Sequence, residues 1–230
     1  MVKIHLPLYA PAKPNAPPPP SHRTLKTTMP EHAPILPVIA AEVAALAPGF
    51  RALSLTVEAA PIVRPEIADR AVERACQALA RGEPDWAEAH LAAWAEAFRR
   101  FGAKPQRTPC SAEALRKRAL RDGGLPSIDP VVDLYNAISV QFAIPVGGEN
   151  LAAYAGTPRL VVADGSETFD TLKNGEAVDE SPDPGEVVWR DDLGVTCRRW
   201  NWRQGVRTRL DASAQRMWFI LESLPEMPLA

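Results

Sequence analysis

Histidine, cysteine and long apolar runs are all scarce in this sequence, and each scarcity removes a class of function. The 230 residues include four histidines, two of which, His5 and His22, lie in a proline-rich N-terminal stretch. His32 and His90 remain, which does not support a histidine-centred catalytic triad or a three-histidine metal site. The three cysteines, Cys76, Cys110 and Cys197, are odd in number and lack CxxC spacing. They read as reduced, partly buried thiols rather than as disulfides or zinc ligands. There is no phosphate loop ending in Lys-Ser/Thr, no GxSxG, no HExxH and no dinucleotide fingerprint, so neither a cofactor nor a metal is expected. No run of eighteen apolar residues occurs, and prolines occupy the place of a signal peptide's apolar core. The expectation is a cytoplasmic chain with no membrane and no DNA partner. A net charge of −2 does not mark a nucleic-acid binder by itself.

Composition is otherwise that of a soluble globular chain, with 46% hydrophobic and 23% charged residues. Of the 24 prolines, seven fall within the first twenty residues. Residues 1–28 therefore read as a disordered extension and 29–230 as a single domain, with Met29 as an alternative start. Leu53, Leu55 and Val57 alternate with Ser54 and Thr56, predicting a strand over Phe50–Val57. Ile67, Ala71, Val72, Ala75 and Leu79 keep helical spacing between Pro65 and Gly82. From Asp85 to Gly102, Trp86, His90, Trp94 and Phe98 fall on one helical face. Within that stripe His90 reads as a satisfied core residue, with a general base as the sharper alternative. Ser111 is expected to cap a third helix, and Pro130 to open a fourth through Phe142. Pro145-Val-Gly-Gly148 reads as a break. Strands are expected over Arg159–Ala163, Glu186–Arg190, Val195–Arg199 and Met217–Leu221, separated by turns at Asp164-Gly165, Asn174-Gly175 and residues 182–185. The order predicts an α+β fold with packed helices and mostly antiparallel β-structure.

Charge is unevenly spread. Phe98 to Arg121 carries eight basic residues against Glu113 alone, whereas Asp164 to Asp192 holds ten acids against Lys173 and Arg190. Cys197-Arg-Arg-Trp-Asn-Trp-Arg-Gln204 then groups planar cations, aromatic rings and amides, the groups that stack on bases and grip phosphates. Its plainer reading is a hairpin whose Trp200 and Trp202 cover core and whose arginines pair with the acidic segment. A second constellation is Asn136 with Gly147, Gly148, Glu149 and Asn150. There, glycines let backbone N–H groups approach a ligand and a carboxylate can hold a water or an ammonium group. Here the plainer reading is a turn beside a helix-surface amide.

Val131-Val-Asp-Leu-Tyr-Asn136, followed by Pro145, resembles the editing module of the phenylalanyl-tRNA synthetase beta subunit, the paired B-three/B-four domain. Leu193-Gly-Val195 and Phe219-Ile-Leu-Glu-Ser223 are similar to further segments of that family, and the likeness covers about Ser111 to Leu224. The chain resembles a freestanding form of this module. The family's turn histidine falls on Gly147, its threonine before the asparagine on Tyr135, and its later glycine pair on Cys197 and Arg198. Trp200 to Arg207 has no counterpart in the family pattern.

The resemblance implies an α+β domain that acts on mischarged tRNA, without ATP. Hydrolysis of an aminoacyl ester by positioned water is then the expected activity; the alternative is a module that binds an RNA end or an amino-acid-like metabolite without turnover. In the first case Glu149 holds the ammonium group or the water, while Asn136 and Asn150 fix the carbonyl and ribose. The Gly147 and Gly148 amides face the oxyanion, and Arg198 and Gln204 hold the terminal adenosine. Binding of tRNA is assigned to Arg198, Arg199, Trp200, Asn201 and Arg203, with Arg116, Lys117 and Arg118 as an outlying patch.

Overall fold

The computed structural model describes residues 35–210 and 214–229. The extension expected over residues 1–28, the alternative start at Met29 and His32 lie outside them. In chain order the elements are β1 (Val38–Ile39), α1 (Ala41–Leu46), β2 (Arg51–Glu58), α2 (Glu66–Ala80), α3 (Ala87–Arg100), α4 (Ser111–Asp122) and α5 (Pro130–Phe142). They continue as β3 (Val146–Asn150), β4 (Arg159–Val162), β5 (Phe169–Lys173), β6 (Glu176–Glu180), β7 (Val187–Arg190), β8 (Val195–Arg198), β9 (Arg203–Gln204) and β10 (Arg216–Ser223). The architecture is α+β, as the patterning predicts.

Two sheets carry the strands. The smaller is antiparallel in the order β2-β10-β3, with all eight residues of β10 paired to β2. The larger runs β1-β4-β7-β8-β5-β6, with β9 beside β8; only β1–β4 and β5–β8 are parallel. Between them lies an aromatic core. Trp94 and Phe98 from α3 meet Trp200, Trp189 and Trp218. The Trp94 and Trp200 rings sit 5.2 Å apart at 89°, an edge-to-face arrangement suited to their quadrupoles. His90 belongs to this core: its Nε2 accepts the Leu224 N–H at 3.0 Å, so Nδ1–H donates to the Ala143 carbonyl at 2.8 Å. Both nitrogens are satisfied and burial lowers its pKa, so it is neutral and structural.

The remaining helices pack on one another. Ala71, Ala75 and Leu79 of α2 meet Ala137 and Val140 of α5, whereas Ile67 faces solvent and Ala68 turns inward. Asp129 caps α5 by accepting the Val131 N–H at 2.9 Å, with Pro130 in the first turn. The expected cap of α4 is corrected: Cys110 is the capping residue, and the hydroxyl of Ser111, already inside the helix, is buried without a partner. Arg116 is also corrected. It is buried and donates to the carbonyls of Val140 at 2.6 Å and Glu83 at 3.1 Å, locking α4 to α5 rather than meeting phosphate.

Residues 146–148 of the expected break open β3, because two glycines can lie flat against β10. A Cβ on Gly148 would stand 2.9 Å from both the Tyr135 and Phe219 rings, so only glycine fits that close approach. β5 and β6 were not anticipated as strands. Their acidic, polar sequences conceal a hairpin closed by Asn174-Gly175, both with positive φ.

Candidate functional site

A cavity of about 280 Å³ opens where β3 and β10 meet α5, the start of α4 and the turn after β8. Register explains its floor. Gly147 lies opposite Ile220 and Glu149 opposite Trp218, and directly opposed residues of an antiparallel pair share a face. Glu149, Gly147, Ile220 and Glu222 therefore point the same way. Asn136 reaches the cavity from α5, Gln204 from β9, and Asn201 and Trp202 from the turn. The Asn136 amide has no partner among the described residues. Gln204 donates through Nε2 to the Gly148 carbonyl at 2.9 Å, which fixes its side chain against β3.

Glu149 is the chemically notable group. It is 4% exposed, and burial pushes its carboxyl up to about 7, against the opposing hydrogen bond from the Tyr154 hydroxyl. Tyr154 is held in turn by Thr196 at 3.2 Å and by an edge-on contact with Trp218. A carboxyl poised near neutrality can take a proton from water at physiological pH. Close by, Arg207 forms a bidentate pair with Asp191 at 2.8 and 2.9 Å. Burial raises the Asp191 carboxyl, but Arg207 and the N–H groups of Ala155, Gly194 and Leu193 outweigh it and the net shift is downward.

Glu222 is a second buried carboxyl on the same face, 1% exposed and likewise pushed up to about 7 by burial. Its Oε1 accepts the indole N–H groups of Trp189 at 3.0 Å and Trp200 at 3.1 Å, and its Oε2 accepts the Asn201 amide at 2.9 Å. Sequence reasoning assigned it no role. The available signal was an acid at the third inward position of the strand, after Trp218 and Ile220. Cys197 lies beside the cavity, and burial together with Glu149 and Glu222 raises its pKa well above the usual thiol value. It stays a thiol and is not an activated nucleophile.

Several expected contacts are corrected by this geometry. Trp200 is 0% exposed and sits in the aromatic core, so it has no free face for a base. Arg198 is buried in ion pairs with Glu186 at 2.8 Å and Glu180 at 3.2 Å, which removes it from phosphate and adenosine. Arg199 and Arg203 do not line the cavity and are paired with the acidic segment through Glu186, Asp183 and Glu180 at 3.7 to 3.8 Å. Asn150 accepts the Ala152 N–H at 3.0 Å and caps a short turn outside the cavity. The Glu222 N–H donates to the Pro145 carbonyl. Alternation along the pair therefore turns the Gly147 amide into the ladder, away from any oxyanion. The structure brings together Asn136, Gly147, Gly148, Glu149, Trp200, Asn201 and Gln204, and leaves Asn150, Arg198, Arg199 and Arg203 outside.

The turn itself is strained. Arg199 and Trp200 have φ of +47° and +65°, a conformation costing about 1 kcal/mol or more each for non-glycine residues. It is held by the burial of Trp200 and by the Arg199 N–H bond to Glu186 at 2.9 Å. The result points Trp200 into the core and leaves Trp202 at the cavity, its ring covered by the Arg199 guanidinium at 4.7 Å.

Among the described residues no group of three His, Cys, Asp or Glu side chains is placed to hold a metal ion. No helix among them is long and apolar enough to cross a membrane. Residues 93–228 match the B3/4 domain, found in the phenylalanyl-tRNA synthetase beta subunit, a family associated with tRNA and with editing. No curated protein matches the chain. The family match spans more than half of the sequence and runs from α3 through β10, and the chain belongs to the B3/4 domain family.

Proposed function

We propose, on the premise of that membership, that the protein hydrolyses the ester of a mischarged aminoacyl-tRNA, with the aminoacyl end in the β3–β10 cavity. The observation that carries this reading is the convergence of Glu149, Asn136 and Gln204 on one cavity, with the Glu149 carboxyl near neutrality. An aminoacyl ester is already activated, so orientation and one base suffice. Glu149 accepts a proton from water as its oxygen bonds to the ester carbonyl carbon. The Asn136 amide donates to the carbonyl oxygen as charge develops there. Collapse breaks the ester bond, and the ribose oxygen leaves with the proton that Glu149 took from water, which restores the carboxylate. The products are the amino acid and a free 3′ end. Tyr154 holds one Glu149 oxygen, and the water takes its place at the other, beside the Thr208 hydroxyl. Trp202 takes the stacking role first assigned to Trp200, and Gln204 borders the terminal nucleoside.

The test is a panel of mischarged tRNAs with labelled amino acids, incubated with the purified protein while label release is followed. The expected result is release from at least one member, lost in Glu149→Gln. Binding of the panel without release of any amino acid would reject hydrolysis and leave the non-catalytic RNA-end reading.

A further inference from the structure

A second opening, of about 430 Å³, is lined by Lys104 and Arg107 and by Arg199 with its ion-pair partners Asp183 and Glu186. Its basic residues differ from others of the same segment. Lys117 pairs with Glu113 at 2.6 Å, and Arg118 and Arg121 with Asp122 at 3.6 and 2.7 Å. Among the described residues, exposed Lys104 and Arg107 have no acidic partner. The Arg107 and Thr108 N–H groups both donate to the Lys104 carbonyl at 2.9 Å, so a closed turn presents the two cations together. The acids of the opening are already engaged: Glu186 accepts both Nε and Nη2 of Arg198, at 3.0 and 2.8 Å, and Asp183 lies 3.8 Å from Arg199.

Groove and cavity share a wall. Arg199 lines the groove, Trp202 lines the cavity, and the guanidinium of one covers the ring of the other. Lys104 and Arg107 line the same groove as Arg199, which touches Trp202 of the cavity. We infer that the Lys104–Arg107 groove binds the phosphates of an RNA 3′ end whose last nucleotide enters the cavity. This rests on the proposed function for the identity of the ligand, and adds where its backbone is held.

The experiment is equilibrium binding of unacylated tRNA to the wild type and to Lys104→Ala/Arg107→Ala, from about 50 to 200 mM salt, the range over which phosphate contacts are most visible. Both side chains are exposed, so the variant is expected to fold. Loss of affinity is expected, together with a salt slope smaller by about 0.7 log units per tenfold salt for each lost single-strand contact. Arg64→Ala/Arg70→Ala, which removes two exposed cations paired with Glu66, should bind as the wild type does. Wild-type affinity and slope in the Lys104/Arg107 variant would overturn the proposal, as would salt-independent binding of the wild type. Displacement of tRNA by polyglutamate at equal charge concentration would point to an acidic peptide and also overturn it. Salt-dependent binding through these residues with no amino-acid release from any charged tRNA would reject hydrolysis while upholding the groove.

Discussion

Glu149 and Glu222 stand on the same face of one small sheet, both buried and both raised to about 7, yet the regions around them differ in kind. Glu222 is saturated: two indoles and an amide fill its oxygens, and through it the aromatic core is tied to β10. Glu149 accepts from the Tyr154 hydroxyl and lies beside that of Thr208, with the open amide of Asn136 in the same cavity. Burial sets the two pKa values alike. Occupancy of the lone pairs separates a structural carboxyl from a chemical one.

The largest expected effect that sharpens this contrast is on turnover. Glu149→Gln should lower amino-acid release about 100- to 1000-fold, the usual loss for a group that acts in the transition state, with a melting temperature no lower than wild type. Activity within a few-fold of wild type would break the contrast.

Glu222→Ala should do the reverse. Two buried indoles and a half-buried amide lose their acceptor, a loss of about 3 kcal/mol in stability, or a fall of roughly 10 °C in a chain of this size by thermal denaturation. Glu222→Gln should be milder, because the Asn201 Oδ1 is buried without a partner and can accept the new amide once the asparagine turns over.

The pH dependence of stability offers a third test. Glu222 unfolded titrates near about 4.3 and folded at about 7. A raised pKa contributes stability fully below the unfolded value, and that stability is lost as pH rises through 7. The melting temperature of Glu222→Gln relative to wild type should therefore climb between pH 5 and pH 8, by an amount equivalent to about 3 kcal/mol at most. A flat difference would show that the carboxyl is not raised.

The smallest effect belongs to the turn. Trp202→Ala should weaken tRNA binding by about 1–3 kcal/mol if the ring stacks on a base, raising KM with little change in kcat, since the residue lines the cavity and takes no part in the proton transfer. An unchanged KM would remove Trp202 from the ligand.

Most helices were legible because their signals are local: Asp129 and Pro130 announce α5, and the Trp94–Phe98 stripe announces α3. The hairpin of β5 and β6 was not, because its stability comes from pairing and turn geometry rather than apolar alternation. At the site, Glu149 and Asn136 stand out from glycines and amides near one helix, and Gln204 from the Arg- and Trp-rich segment that it closes. The choice of Trp200 over Trp202 failed for a physical reason. Two successive positive φ values decide which indole turns inward, and arginine and tryptophan do not advertise that conformation as glycine would. Glu222 was hidden because its three donors come from Trp189, Trp200 and Asn201, distant in sequence.

The central claim is that Glu149, and not Glu222, titrates in the reaction. The most direct measurement is the pH profile of single-turnover amino-acid release from a mischarged tRNA, taken for wild type, Glu149→Gln and Glu222→Gln. The account predicts a rate that rises through an inflection near pH 7 as Glu149 ionises, retained in Glu222→Gln and abolished with the activity in Glu149→Gln. An inflection that survives in Glu149→Gln, or one that vanishes only in Glu222→Gln, would contradict it.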